Sequence, residues 1–137
     1  MEKLSRQEYK INEWEPVSVK KIIAGTFKNP FNGEVLKVYS ADFVNPNNAT
    51  GIVASVPGNS IIDFLECRKL GIKYDQRNFI RVGNSFSSAE HFLKSHKVDL
   101  SDPEAIARAN SELYKTEFYE GIMDYSGFEG KKVSKAR

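Results

Sequence analysis

At 137 residues the chain has the length of one domain, and its 40% hydrophobic and 28% charged content lies in the normal range for a folded soluble protein. Twenty Lys+Arg against eighteen Asp+Glu give +2, so no large basic field advertises nucleic acid. There is no apolar run of eighteen residues to span a membrane, no signal-peptide core after Met1, and only Cys67 as a cysteine, which excludes an internal disulfide and a cysteine-type zinc site and leaves the expectation of a cytosolic globular domain with one core.

The first half reads as β. Val17–Ala24 is rich in β-branched residues with partial alternation, as in a strand. Asn29-Pro30-Phe31-Asn32-Gly33 carries the Asn-Gly hairpin signal, and Glu34–Tyr39 alternates as a returning strand. Phe43-Val44 is a short apolar piece closed by the breaker cluster Asn45-Pro46-Asn47-Asn48. Gly51–Val56 is nearly all apolar, the mark of a strand buried on both faces.

The second half reads as α. Ser60 with Asp63 three residues on is a capping-box variant, starting a helix that runs to Leu70 and stops at Gly71. Ile72–Asp75 and Phe79–Gly83 fit either a strand pair or a loop. Ser87-Ser88-Ala89-Glu90 is a full capping box, and Ser101-Asp102-Pro103-Glu104 is another, with Pro103 in the first turn where a missing N–H costs nothing. From there Ile106, Ala109, Leu113, Glu117 and Phe118 trace a mostly apolar helical stripe ended by Gly121. Ile122–Val133 reads as a hairpin turning at Ser126-Gly127. The fold expected is α+β: a small, barrel-like mixed sheet with packed helices, in a single domain over residues 1–137.

Few residues offer chemistry. Phosphate-loop, dinucleotide and nucleophile-elbow glycine motifs are absent. His91 and His96 are five apart, not the four that place two ligands on one helix face, so no metal site is expected. Cys67 lies beside Arg68 and Lys69, cations that can lower a thiol pKa, but no partner histidine is near in sequence and a small core residue is the plainer reading. The informative stretch is Asn45–Asp63. A strand ends at Val56-Pro57-Gly58 and turns into a helix at Ser60, exposing free N–H groups at the positive end of a helix dipole. Asp63 in the first turn either satisfies helix N–H groups or aims into a pocket to hold a cationic group such as a substrate amine. The pattern alone leaves both open.

Ala41–Phe64, ADFVNPNNATGIVASVPGNSIIDF, resembles the editing-domain motif of leucyl-tRNA synthetases of the archaeal and eukaryotic-cytosolic type. The preceding FKNPFNGEVLKVYSADFV is similar to that family's hairpin, and Ala109–Arg137 to its following helix and hairpin. The inserted domains of valyl- and isoleucyl-tRNA synthetases are the near alternatives. The resemblance implies a segment of an editing domain that hydrolyses the ester of a misacylated tRNA(Leu), since a synthetic site discriminates one methylene by only about 1–3 kcal/mol. It implies that Asp63 binds the α-ammonium of the attached amino acid, and that Thr50, Gly51, Val53, Val56 and Pro57 wall the pocket. Asn59 counts with them as a substrate-binding residue by its position, where the family has a histidine, but Asn cannot exchange a proton near neutral pH. No cofactor is implied for this segment; ATP and magnesium would serve the parent's synthetic site. The implied partners are tRNA(Leu), through the parent enzyme, and the misattached amino acid; the implied location is the cytoplasm. The family's upstream threonine-rich segment and the synthetase signature motifs are missing. The expectation is therefore a piece of a longer ligase that is inactive alone, the alternative being a stand-alone module that binds tRNA or a partner without catalysis.

Overall fold

The computed structural model describes residues 16–29, 33–45, 51–74 and 78–136. The chain divides into two compact units, Met1–Asn45 and Pro46–Arg137.

In the first unit, the strand expected over Val17–Ala24 is a helix, α1 (Val19–Ile23). Ser18 caps it, its Oγ accepting from the Lys21 amide at 3.3 Å. Lys20 and Lys21 sit in the last turn, where cations suit the dipole. These local terms outweigh the β-branched composition in a helix that has no buried residue. The expected hairpin is present but short. β1 (Phe27–Lys28) and β2 (Val35–Leu36) pair antiparallel, Phe27 opposite Leu36. Asn29 closes the loop, its N–H donating to the Glu34 carbonyl at 2.8 Å. Gly33 has φ +72°, a conformation that favours glycine; Pro30, Phe31 and Asn32 lie outside the described residues. No described residue of 16–45 is buried.

The second unit holds the core. Its helices are α2 (Ile61–Lys69), α3 (Ala89–Ser95) and α4 (Pro103–Glu120). Ile61 and Phe64 of α2, Ala89, Phe92 and Leu93 of α3, and Ala109 and Leu113 of α4 form one buried cluster. The apolar stripe of α4 thus faces inward as its spacing requires, with Phe118 half-buried at its edge. α2 stops in a Schellman motif: the Ile72 N–H donates to the Cys67 carbonyl at 2.9 Å and the Gly71 N–H to that of Arg68 at 3.2 Å, with Gly71 at φ +66°.

Two helix starts differ by one residue from expectation. Ser88, not Ser87, caps α3, its Oγ accepting from the His91 amide at 3.0 Å. Asp102, not Ser101, caps α4, Oδ1 accepting from the Glu104 amide at 2.8 Å. In both places a run of capping-type residues offered two registers, and the neighbour found other work. Ser101 donates to Asp99 Oδ1 through its amide at 2.8 Å and its hydroxyl at 2.7 Å. Ser87 turns to Glu117.

The open question over residues 72–86 resolves into a hairpin for its second part. β3 (Ile80–Val82) and β4 (Ser85–Phe86) pair across Gly83, which has φ +60°. β5 (Ile122–Met123) pairs with the other edge of β3, giving an antiparallel sheet in the order β4-β3-β5. The C-terminal hairpin forms around β5, but its second arm is a single bridge, Lys132 opposite Ile122, before a 3₁₀ turn over Val133–Lys135. Neither this sheet nor the β1-β2 pair closes into a barrel among the described residues. Likewise, no described helix is long and apolar enough to cross a membrane.

Gly121 follows α4 with a φ of −65° that suits any residue, so space rather than backbone conformation calls for glycine there. A Cβ there would collide with the Glu117 carbonyl and the Ile80 methyl Cγ2. Gly121→Ala is expected to lower stability, whereas Ala at exposed Tyr114 changes it little. Leu113 is 1% exposed, and Leu113→Ala is expected to cost about 2–5 kcal/mol, read from the urea midpoint.

Candidate functional site

The site is the turn that feeds α2, in the second unit. The approach to it, Gly51–Val56, is not the buried strand its composition suggested. It carries no strand pairing, and Ile52, Val53 and Val56 are exposed, Val53 to 59%. An apolar β-branched run is buried only if strands flank it, and among the described residues none does. The Val56 N–H is taken up instead by a side chain, Asp63 Oδ2 at 2.7 Å.

That bond turns the chain. The Asn59 and Ser60 amides donate back to the Val56 carbonyl at 2.9 and 3.0 Å. Ser60 then caps α2, its Oγ accepting from the Asp63 amide at 3.3 Å. In a reciprocal capping box the acidic side chain would reach the cap residue's own N–H; here Asp63 reaches four residues further back. Asp63 is half-buried, and its Oδ1 has no hydrogen bond among the described residues. The carboxylate thus serves a backbone N–H of the turn rather than a helix N–H. One oxygen, Oδ2, fixes the turn.

Three further bonds clamp the turn from behind. The Ile61 N–H, an orphan donor in the first turn of α2, donates to Asn110 Oδ1 of α4 at 2.8 Å. The Ala89 N–H at the start of α3 donates to the Gly58 carbonyl at 2.8 Å. The Asn59 side chain points inward, Nδ2 donating to Glu117 Oε1 of α4 at 2.7 Å. The same oxygen accepts from Ser87 Oγ at 2.6 Å. Glu117 is 4% exposed. Burial pushes its carboxyl up from the ordinary 4.5, and the two hydrogen bonds only partly offset that.

Of the residues singled out from sequence, the structure gathers Val56, Pro57, Asn59 and Asp63 in this one turn. Gly51, at φ +66°, and Val53 lie on the exposed approach. Thr50 lies outside the described residues. Glu117, Asn110 and Ser87 were missed as site residues. Glu117 had a signal: a carboxylate on the inward stripe must find donors once buried. Cys67 is buried, and desolvation raises its thiol pKa; a hydrogen bond with Ser55 lowers it less, and Asp63 and Glu66 raise it further. That is the opposite of an activated nucleophile. His96 stacks on Phe92 at 3.9 Å, far in role from the turn. No three His, Cys, Asp or Glu gather to hold a metal among the described residues. Beside the turn is a small depression lined by Pro57, Gly58, Tyr74, Asn78, Ser88 and Glu90.

No protein-family model matches the chain. It is 36% identical over 138 aligned residues to the leucine–tRNA ligase of Thermoplasma volcanium, a match covering 100% of the chain and 14% of that protein. It is 38% identical over 136 residues to the ligase of Thermoplasma acidophilum, covering 98% and 14%. The ligase of Pyrococcus furiosus is 28% identical over 153 residues, covering 98% and 16%. The chain thus spans about one-seventh of the length of the first of these relatives, and is homologous to one segment of them. Among solved structures it superposes on GlLeuRS-CP1 with a TM-score of 0.69 at 21% identity, covering 85% of this chain and 52% of that one. On the P. falciparum cytosolic leucyl-tRNA synthetase editing domain the TM-score is 0.61 at 21% identity, covering 72% and 38%. This likeness is one of fold.

The titration of Glu117 has a definite sign. A carboxyl pKa raised by folding contributes stability that is whole below 4.5 and lost as pH rises through the raised value. Glu117→Gln is therefore expected to remove one component of the fall in stability above pH 4.5, seen by comparing denaturation midpoints of the two proteins at successive pH values.

Proposed function

We propose that this homologue of one segment of the leucine–tRNA ligases serves the hydrolytic editing of misacylated tRNA(Leu). The observation that carries the reading is the end-to-end match of the chain to those ligases, joined to a fold like that of editing domains. The chain would be part of a larger ligase whose synthetic site uses ATP and magnesium, working in the cytoplasm. Its strands would be a portion of the barrel-like sheet, completed by the rest of that protein.

In this reading the turn at Val56–Asp63 is one wall of the hydrolytic site. The ester carries an α-ammonium, and Asp63 Oδ1 accepts from it while Oδ2 stays on the Val56 amide. Thr50, Gly51, Val53, Val56 and Pro57 line the side of the amino acid, and exposed Val53 and Val56 supply apolar surface for its side chain. Water adds to the ester carbonyl carbon; the carbon–oxygen bond to the tRNA 3′ end breaks, and the released ribose oxygen takes the proton. Asn59 takes no part in that proton transfer, being neutral and held by Glu117. The ammonium contact places the ester rather than activating it, which is a positional contribution.

The test is deacylation of isoleucyl- or norvalyl-tRNA(Leu) by the full-length ligase. Asp63→Ala is expected to lower the rate at least about tenfold, the loss of one charge-assisted hydrogen bond. Wild-type clearance by that variant would refute the role of Asp63. The 137-residue chain alone is expected to release no amino acid above the uncatalysed background.

A further inference from the structure

We infer that Glu117 is the positioning residue of this site: through Asn59 it fixes the Val56–Ser60 turn and so the direction in which Asp63 presents its carboxylate. The inference builds on the reading of Asp63 as the ammonium-binding group, but its first test does not depend on it.

The argument is geometric. Val56 and Asp63 are joined by a single bond in an exposed part of the chain, Val56 N–H to Oδ2 at 2.7 Å. Alone, a bond of this kind opens readily, because water competes for both partners. Within the turn between them, Asn59 is the residue whose side chain reaches α4, its Nδ2 donating to Glu117 Oε1 at 2.7 Å. Glu117 cannot follow the turn if it moves. It lies on the inward face of α4, one helical turn after Leu113, which is fully packed, and directly before the space-limited Gly121 contact. Ser87 Oγ holds the same oxygen at 2.6 Å from the loop before α3, so the carboxylate is fixed from two sides. Moving Asn59 away would leave a buried acceptor with one donor, the costly way to break a hydrogen bond. The Ala89-to-Gly58 and Ile61-to-Asn110 bonds flank this link and tie the same turn to α3 and α4. Glu117 touches no substrate atom in this scheme. It acts by keeping Asp63 Oδ1 pointed outward.

Two variants of the 137-residue chain test this: Asn59→Ala, and the double change Asn59→Asp with Glu117→Gln, which exchanges donor and acceptor across the same gap. Amide hydrogen exchange by NMR is expected to speed up about tenfold at Val56 and Ser60 in Asn59→Ala, the loss of one hydrogen bond, while the amides of Phe92 and Leu113 keep their wild-type rates. The double variant is expected to restore the Val56 and Ser60 rates. Unchanged rates at Val56 and Ser60 in Asn59→Ala, or a uniform rise that includes Phe92 and Leu113, would overturn the inference, as would a double variant no better than Asn59→Ala. Titration with leucine methyl ester, read at the Asp63 amide, is the second arm. Binding weakened in Asn59→Ala and recovered in the double variant supports the inference; equal binding in all three proteins overturns it. No ester-dependent shift in the wild-type chain would instead overturn the ammonium role of Asp63, and the exchange rates would still decide whether Glu117 fixes the turn.

Discussion

A carboxylate with almost no solvent contact sits on the longest helix among the described residues, and two loops are tied to one of its oxygens. Burying Glu117 without donors would be prohibitive, so the fold has to deliver them. Asn59 comes from the turn before α2 and Ser87 from the loop before α3. Hydrogen bonds to a charged group are worth roughly 1.5–3 kcal/mol each, comparable to burying one aliphatic side chain. The two loops are thereby brought to a common point on α4, and the helices that follow them start where the core needs them.

The same helix works along its length. Ala109 and Leu113 fill the core, while Asn110 and Glu117, seven residues apart and so on nearly the same face, take up the Ile61 amide and the Asn59 side chain. One apolar layer thus lies between two polar fixtures, both directed at the start of α2. The result is a turn whose backbone is held from α3 and α4 while its outer surface stays open, the division of labour that a binding site on a loop requires.

Asn59 takes its meaning from this arrangement. Facing Glu117, it is a link between turn and helix. The exposed approach from Gly51 to Val56 belongs to the same picture: its amide at Val56 serves Asp63, and among the described residues no strand pairs with it.

Local signals in the sequence determined much of the second unit. Ser60, Gly71 and the stripe through Leu113 are each decided within a few residues, by capping, chain conformation or helical period, and they lie where the sequence puts them, while the cap of α4 falls one residue later, at Asp102. The same reasoning found the turn around Asp63. Other questions required knowing what lies opposite. Val17–Ala24 and Gly51–Val56 have strand composition, but a strand exists only with a partner, and a helix cap won in one case and a side-chain acceptor in the other. Ser87 has the capping-box spacing to Glu90, yet Glu117 takes its hydroxyl and Ser88 caps α3. The partnership of Glu117 with Asn59 spans 58 residues, and nothing in either neighbourhood encodes the other. Tertiary structure decided these points because a buried charge is satisfied by whatever donors the packing brings within reach.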